Sequence, residues 1–474
     1  MHQEETGGTP EFDQELCEVF TDCDDWSRRK LTVGGATLYA YSLDGLVASS
    51  DISDFVLRPL AEGLLHGSMQ ERYAQALGGA LYNAVAAPVE DVAAAAQKLV
   101  NGFCVLLFPS AGAVAFEVKS SVKRGPTAPE VENTVKGAKD AFTETMRINT
   151  SLVRRHLRTP DLRLRRTLVG ARSLTGVTVC SVEGLTDPAM VERVQTRLAE
   201  IDIDGLLSPA AVEEYLTGSR KTAFPLLQYT ERTDRFAQGL LDGRVGVLVD
   251  GLPLGYLLPV DAGYLMTSPE DQGTDYLSAS VVRLLRWAAL LLTLLLPGLY
   301  ISIAMFQPEM LPTPLLKAII ESKENVPFSS VAEVLGLLMA FELLQQAGLH
   351  LPQAIGQSVS IIGGLVVGTA AVDASLVSPA ALIVAAAAGI CGFVLPSRDF
   401  SEAIRLWRLI LTVCAACAGL FGLTAGTIAL LIRLSGLTSL DRPYLGHVRL
   451  LRPRLVTEKY RDPILRAEDL RKQR

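Results

Sequence analysis

The pattern of polar and apolar residues divides the chain near Val281. Up to that point the sequence reads as short strands and amphipathic helices, whereas residues 281 to 434 contain several long apolar runs. The first part therefore predicts a soluble α/β region, and the second predicts helices that cross a bilayer. The fold class that follows is an α+β cytosolic region and then an all-α transmembrane bundle.

The first part carries one pattern twice. Ala36–Leu43 is a β-type run that ends at Asp44-Gly45, and Thr175–Val182 is a similar run that ends at Glu183-Gly184. A helical pattern and a hairpin follow each run, and the copies lie about 140 residues apart. The repeat predicts two similar α/β lobes. The predicted hairpins are 102–108 with 113–118 and 243–249 with 254–258.

Changes in composition set the expected domain boundaries. A charged, helix-forming linker separates the lobes, and its basic patch at residues 154–158 fits either a solvated helix face or a contact with lipid headgroups or a neighbouring subunit. The predicted divisions are a polar acidic lead-in (1–30), a first α/β lobe (31–125), a charged helical linker (126–160), a second α/β lobe (161–275), a transmembrane helical domain (276–440) and a basic cytoplasmic tail (441–474).

Four apolar runs are long enough to span ~30 Å of hydrocarbon. A fifth, 331–347, carries Glu333 and Glu342 and is predicted to be an interfacial or re-entrant helix, because acidic groups are costly at membrane depth. The Arg-rich tail predicts a cytoplasmic C-terminus and, with a cytoplasmic first part, an even number of crossings. Arg398, Arg405 and Arg408 then fall outside, against the positive-inside rule. The four predicted spans are 284–306, 354–372, 376–395 and 406–434.

The run 354–372 differs from a simple anchor because small residues recur along it. Ser360, Gly364 and Gly368 are spaced by four, which permits close approach of helix backbones. A pore wall and internal packing are equal alternatives for this helix. As a pore wall, it would gate by dewetting at an apolar constriction of Ile361, Ile362 and Val366. The pore and gating candidates are Ser360, Ile361, Ile362, Gly363, Gly364, Val366, Gly368 and Glu342.

Two polar clusters precede the first span. Glu231 and Arg232 lie in a segment of alternating charge that is typical of a local ion-pair network. Glu270 and Asp271 follow Ser268 as the acidic first turn of a helix. Since the second cluster comes just before the membrane, we take Glu231, Arg232, Glu270 and Asp271 as candidates for coupling the lobes to the spans.

Composition argues against enzymatic chemistry. The 474 residues are 49% hydrophobic and 20% charged, with a net charge of −7. Seven cysteines lack the spacing of a disulfide framework, five histidines lack a metal-like spacing, and no Walker A motif occurs. Cys414-Ala-Ala-Cys417 lies in an apolar run, where packing is the favoured interpretation. We therefore predict no catalytic residues, no cofactor, no metal and no nucleic-acid partner.

A series of motifs in order along the chain resembles the A-subunit family of bacterial spore germinant receptors. The match runs from about Thr37 to Arg408. Its pieces include Tyr229-Thr230-Glu231-Arg232, the segments 241–251 and 268–271, Leu296-Pro297-Gly298-Leu299-Tyr300, Val326-Pro327-Phe328, Phe341-Glu342, Leu351-Pro352, the segment 362–368 and Ser378-Pro379. The chain departs from the family at Thr233, Gln272-Gly273, Asp275, Leu338 and Gln345-Gln346, where the family usually has Pro, two Tyr, Arg, Glu and Arg-Glu.

The resemblance implies a role in nutrient-triggered germination. It implies a homo-oligomeric, ligand-gated ion channel in the spore inner membrane, with both termini cytoplasmic. It also implies two partners, a transporter-like B subunit and a lipoprotein C subunit. The alternatives are a secondary transporter subunit, which would need an inverted repeat in the membrane half, and a membrane-anchored scaffold without a pore. The lost charges at Leu338 and Gln345-Gln346 leave the response to nutrients open.

Overall fold

The computed structural model describes residues 9–83, 85–119, 129, 132, 134, 136–218, 222–350 and 368–446. These residues form two compact units. The first unit holds the described residues up to 218 and 227–259, and the second holds 222–226 and 260–446.

Two five-stranded antiparallel sheets form the frame of the first unit, and they have the same strand order. In the first sheet the order is β1-β2-β4-β5-β3, and in the second it is β6-β7-β9-β10-β8. The internal repeat in the sequence therefore corresponds to a repeated topology. The strands are β1 Trp26–Val33, β2 Ala36–Leu43, β3 Ala86–Val89, β4 Phe103–Phe108, β5 Gly112–Glu117, β6 Leu162–Val169, β7 Thr175–Val182, β8 Gln228–Thr230, β9 Val245–Val249 and β10 Gly255–Leu258.

Helices cover both faces of the first sheet, which explains why its central strand β4 is apolar at every position. One face places Leu106 and Phe116 in a core that also contains Val56, and the other places Val105 in a core with Leu16. Alternate residues of a strand point to opposite faces, so β4 is buried throughout. The helices of this unit are α1 Thr9–Val19, α2 (Ser49–Ile52, the π-helical Ser53–Leu57 and Arg58–Ala61), α3 Met69–Leu77, α4 Val92–Val100, α5 Met146–His156, α6 Pro188–Ala199, α7 Pro209–Thr217 and α8 Thr233–Leu241.

A buried ion pair joins the two lobes of the first unit. Arg154 of α5 is 1% exposed, and its Nε and Nη2 both donate to the carboxylate of Asp25, the Nη2 bond being 2.7 Å. The backbone N of Asp24 also donates to the carbonyl of Leu164 at 2.9 Å. A bidentate pair of this kind fixes orientation as well as distance, so the lobes are held in one arrangement.

The structure adds detail to two of the predicted divisions in the first unit. The lead-in at 1–30 contains α1 and the first residues of β1, and Leu16 and Phe20 are buried. Among its described residues, the charged linker is helical only in α5, and residues 136–144 form no helix. Instead, Ala141 forms a β-bridge with Arg232. The charge pattern of the linker favoured a helix, but pairing with the second lobe determines its backbone.

The second unit is mainly helical. By length and hydropathy, three of its described helices could cross a membrane: Tyr276–Phe306, Ser330–Ala347 and Arg398–Ser435. Pro379–Phe393 is apolar but shorter. The helices are α9 Ala262–Leu265, α10 Glu270–Gly273, α11 Tyr276–Phe306, α12 Thr313–Lys323, α13 Ser330–His350, α14 Pro379–Phe393 and α15 Arg398–Ser435, with a short β11 Thr438–Ser439 and β12 Arg442–Pro443 after them.

The last helix, α15, reverses direction at Ala418 and Gly419, whose backbone angles are not helical. A Cβ on Gly426 would lie 2.8 Å from Cδ2 of Leu411, although the two residues would be about 22 Å apart along a straight helix. We call residues 398–417 the first arm and 420–435 the second arm. The run 406–434, predicted to be a single span, therefore contains a helical hairpin, and the number of membrane crossings stays a prediction.

The beginning and the end of the second unit meet at one side of the bundle. The backbone N of Ala262 donates to the carbonyl of Tyr444 at 3.0 Å, and the ring of Phe224 lies 6.1 Å from the rings of both Tyr444 and Phe400. Phe400 begins the first arm, whereas the reversal lies beside Phe306 at the far end of α11. The two arms thus run away from the chain entry and back to it.

Candidate functional site

Three carboxylates on the helices of the second unit are paired with cations from other parts of the same unit. They are Asp271, Glu333 and Glu342. Acidic side chains within a membrane bundle are costly unless they are paired or hydrated, so such positions mark functional candidates.

Asp271 holds the chain entry onto the first membrane helix. Its side chain is 2% exposed, and Nε of Arg283 and Nη1 of Arg286 each donate to Oδ2 at 2.9 Å. Arg286 also donates to the carbonyl of Met266 at 3.4 Å. Removing the carboxylate would leave two buried guanidinium groups without their counter-ion, which costs about 3–5 kcal/mol for a buried pair. Glu270, the neighbouring candidate, is exposed.

Glu342 joins α13 to the first arm of α15. Its Oε1 accepts from Nη2 of Arg408 at 2.7 Å, and its Oε2 accepts from Nη1 of Arg405 at 3.3 Å. The side chain of Arg408 is 1% exposed and that of Glu342 is 21% exposed. Glu342, which the sequence shows as an acidic residue within an apolar run, thus forms a specific contact between two apolar helices.

Glu333 lies at the other end of α13. It is 2% exposed, accepts from the backbone N of Ser378 at 2.8 Å and lies 3.2 Å from Nζ of Lys323. Ser378 caps α14, so the carboxylate also neutralises the positive end of that helix dipole. Because both glutamates of α13 have partners inside the bundle, an interfacial position is not needed to explain them, and α13 meets the length and hydropathy of a span.

Most of the predicted pore residues lie outside the described part of the chain. Ser360, Ile361, Ile362, Gly363, Gly364 and Val366 belong to this group. Gly368 is described, is helical and is buried, and a Cβ at its position would lie 3.5 Å from Cδ2 of Leu382 on α14. The assignment of these residues to a pore wall stays a prediction.

Glu231 and Arg232 lie in the first unit, where Arg232 ties the linker to the second lobe. Arg232 is 1% exposed. Its guanidinium donates to Asp234 at 2.6 Å, to the hydroxyl of Thr134 at 2.8 Å and to the carbonyl of Ala138 at 3.0 Å. The backbone carbonyl of Glu231 accepts from Phe142 at 2.8 Å. The structure therefore gives Arg232 a local role, and its coupling to the membrane stays a prediction.

A second tie between the linker and the second lobe involves a histidine. Nε2 of His156 lies 2.8 Å from Oδ2 of Asp140 and 2.9 Å from the hydroxyl of Thr233. The hydrogen bond from His156 is the main cause that lowers the pKa of Asp140 from its ordinary value of 3.8 to about 2, although partial burial opposes the shift. The Asp140 carboxylate is therefore stabilised in its ionised form.

The described residues contain no group of three or more His, Cys, Asp or Glu side chains that could hold a metal ion. The cysteines are unpaired, and Cys104 and Cys180 are fully buried thiols. Burial raises the pKa of Cys104 to about 12, which keeps it protonated and unreactive.

Sequence reasoning found the carboxylates Asp271 and Glu342 but not their cations. Arg283 and Arg286 lie 12 and 15 residues after Asp271, and the partners of Glu342 lie more than sixty residues away along the chain. The available signal was the excess of arginine in the apolar runs, since a buried guanidinium requires an acidic partner.

Comparison with known proteins identifies relatives along almost the whole chain. The family model described as Bacillus/Clostridium GerA spore germination protein matches residues 14–471. An uncharacterized membrane protein, YfkQ of Bacillus subtilis (strain 168), is 33% identical over 429 residues, which are 90% of this chain and 83% of the relative. Spore germination protein A1 of the same organism is 33% identical over 360 residues, covering 76% of this chain and 75% of the relative.

Among solved structures, the chain is similar to the N-terminal domain of the A subunit of the Bacillus megaterium spore germinant receptor GerK3. The sequence identity is 25% and the TM-score is 0.41. The similarity covers 53% of this chain and 97% of that domain.

Proposed function

Because the chain belongs to the GerA family of spore germination proteins, we propose that it is a membrane subunit of a germinant receptor and a protomer of an oligomeric, ligand-gated ion channel. The family match over residues 14–471 carries the receptor part of this proposal. The partners are a transporter-like B subunit and a lipoprotein C subunit, and the location is the spore inner membrane.

Paired charges inside the membrane unit support a channel over a passive anchor. An anchor needs only apolar contact with lipid, whereas Glu342 and Asp271 are each held by two arginines from another segment of the unit. Charged groups inside a bundle are expensive and are retained where they serve a function. The predicted pore wall, 354–372, follows α13 directly in the chain, and Ile361, Ile362 and Val366 remain its proposed constriction.

The reversal in α15 supports a revised topology. We count six passes: α11, α13, the run 354–372, α14 and the two arms of α15. An even number keeps the chain entry at Val260 and the basic tail on the same side, which we take as the cytoplasm. Arg398 then lies at the cytoplasmic end of the first arm, so the positive-inside rule is obeyed.

Ion flux through the purified full-length chain in liposomes tests the channel. We expect Ile362→Ala to leak without a stimulus, because the substitution widens and hydrates the apolar constriction. Ile383→Ala is the matched control, since Ile383 on α14 is 68% exposed and has the same side chain. If Ala at Ile361, Ile362 and Val366 leaves the flux unchanged, the pore assignment is wrong and a scaffold is the better description.

A further inference from the structure

The helix α13 is held by two different kinds of contact along its length. Its first half packs by apolar contact, with Val334 and Leu338 fully buried in a cluster that includes Ile301 of α11 and Ala381 of α14. Past Phe341 the apolar packing weakens, because Leu343 is 67% exposed and residues 344–347 are only partly buried or are exposed. Among the described residues, the ion pairs of Glu342 with Arg405 and Arg408 are the strongest polar contacts of that second half.

The arginines that hold Glu342 have unused donors. Nε and Nη1 of Arg408 and Nε of Arg405 are buried and have no hydrogen-bond acceptor among the described residues. Arg405 also approaches Glu402 at 3.7 Å, so it already has a second carboxylate within reach. One carboxylate therefore serves two guanidinium groups, and Arg405 has Glu402 as an alternative partner. An alternative partner for one of the cations is what a two-state switching contact requires.

We propose that Glu342, Arg405 and Arg408 form an ion-pair latch that holds the second half of α13 against the first arm of α15 in the closed state. Release of the latch accompanies channel opening. This second statement rests on the proposed function, because the chain that follows α13 carries the predicted pore residues. The latch itself is a contact between two described helices and can be tested without conduction.

Hydrogen exchange of the full-length protein in nanodiscs tests the latch directly. Glu342→Gln removes the charge but keeps the size of the side chain, and we expect the amides of residues 341–350 to exchange about tenfold faster, as for the loss of a typical coupling interaction. Glu321→Gln is the matched control, because Glu321 is exposed on α12 and pairs with Lys317 outside the cluster. Exchange over 341–350 in this variant should equal that of the unmodified chain. Equal exchange in Glu342→Gln and the unmodified chain would overturn the latch.

A charge-swapped variant separates the latch from general damage. Glu342→Arg combined with Arg408→Glu keeps one carboxylate and two guanidinium groups, and we expect it to restore slow exchange. If Glu342→Gln fails to fold, Arg405→Gln provides the milder test, because Arg405 is 16% exposed and makes the longer bond. If the charge-swapped protein folds but its amides at 341–350 exchange as fast as those of Glu342→Gln, the latch is also contradicted.

Flux measurements then separate the two proposals. If Ile362→Ala conducts and Glu342→Gln does not leak although its exchange is faster, release of the latch does not open the channel and that part of the inference fails. If no variant conducts but exchange responds as expected, the channel proposal fails while the contact between α13 and α15 stands.

Discussion

Buried arginines organise both units of this chain. Arg154, Arg232, Arg244 and Arg408 are among its largest fully buried side chains. Arg154, Arg232 and Arg408 each meet a carboxylate, and Arg244 donates to the carbonyl of Pro259. A planar guanidinium with several donors can satisfy more than one acceptor in a fixed geometry. These residues therefore connect segments that apolar packing alone would leave free to slide.

The Asp140–His156 pair predicts a stability that depends on pH. The folded pKa of Asp140 lies at about 2, below its ordinary value of 3.8, so its contribution is complete above about pH 4 and is lost as the pH falls toward 2. We expect Asp140→Asn to destabilise the first unit by roughly 1–2 kcal/mol at pH 6, after allowance for partial exposure, and by clearly less at pH 3. Urea unfolding followed by Trp26 fluorescence measures this difference.

The design of that experiment uses the distribution of tryptophan. The chain has three, and replacing Trp287 and Trp407 by Phe leaves Trp26, which stacks on Phe20 at 4.6 Å in the first unit. Asp54→Asn is a suitable control, because its pair with Arg58 is exposed and should change the free energy of unfolding by about 0.5 kcal/mol or less. If Asp140→Asn lowered the free energy of unfolding equally at pH 6 and pH 3, the charge of Asp140 would not have the stabilising role assigned to it.

At the scale of elements, Gly419 is the position on which the helical hairpin depends. Its φ of +60° and ψ of −141° belong to a region that essentially only glycine occupies, and a Cβ there would lie 2.9 Å from the ring of Phe306. We expect Gly419→Ala to destabilise the second unit by about 1–3 kcal/mol. The drop in melting temperature of the full-length protein in detergent measures this effect.

Gly336 supplies the control for Gly419. It lies within α13, and a Cβ at its position would meet no atom within 4 Å. Alanine at a helical position of this kind stabilises by about 0.4–1 kcal/mol through the unfolded chain. Gly336→Ala should therefore leave the melting temperature unchanged or raise it. If the Gly419→Ala protein had the same melting temperature as the Gly336→Ala protein, the reversal would not require glycine.

The sequence predicted elements well wherever a local pattern decides the structure. β2 and β7 have the predicted bounds. The sequence did not predict the hairpin in α15, because apolar residues continue on both sides of the reversal. A reversal made by only two residues, Ala418 and Gly419, does not interrupt the apolar pattern. The spacing of Gly419, Gly422 and Gly426 was the available signal, since it permits two helices to approach closely.

The candidate site was predictable only in part. A charge inside an apolar run can be seen in the sequence, which is why Glu342 and Asp271 were found. Their partners depend on which helices pack together, and Arg405 and Arg408 are far from Glu342 along the chain. The same limit applies to Arg154 and Asp25, which join the lobes across 129 positions. Long-range ion pairs depend on which helices and strands pack together, and the sequence pattern does not predict this packing.

At the scale of the whole molecule, the hairpin changes which parts of the chain face which side of the membrane. A continuous α15 of 38 residues would be about 57 Å long, almost twice the ~30 Å of a hydrocarbon core. Two arms of about 30 Å and 24 Å are each close to the thickness of the hydrocarbon core, so each can cross the membrane once. In the six-pass arrangement that we propose, Ser435 returns to the side of Arg398, and Cys417 lies at the opposite surface of the membrane.

Labelling of Cys417 distinguishes these two arrangements. Cys417 is exposed and lies two residues before Gly419. We expect a membrane-impermeant maleimide to label it from the face opposite the basic tail, and the signal should vanish in Cys417→Ser. Ser435→Cys, made in the Cys417→Ser chain, should be labelled only from the face of the tail. In a single long span, Cys417 would lie in the hydrocarbon and resist labelling from either face. That result would contradict the reversal in α15. It would also contradict the placement of Arg398 and the tail on the same side of the membrane.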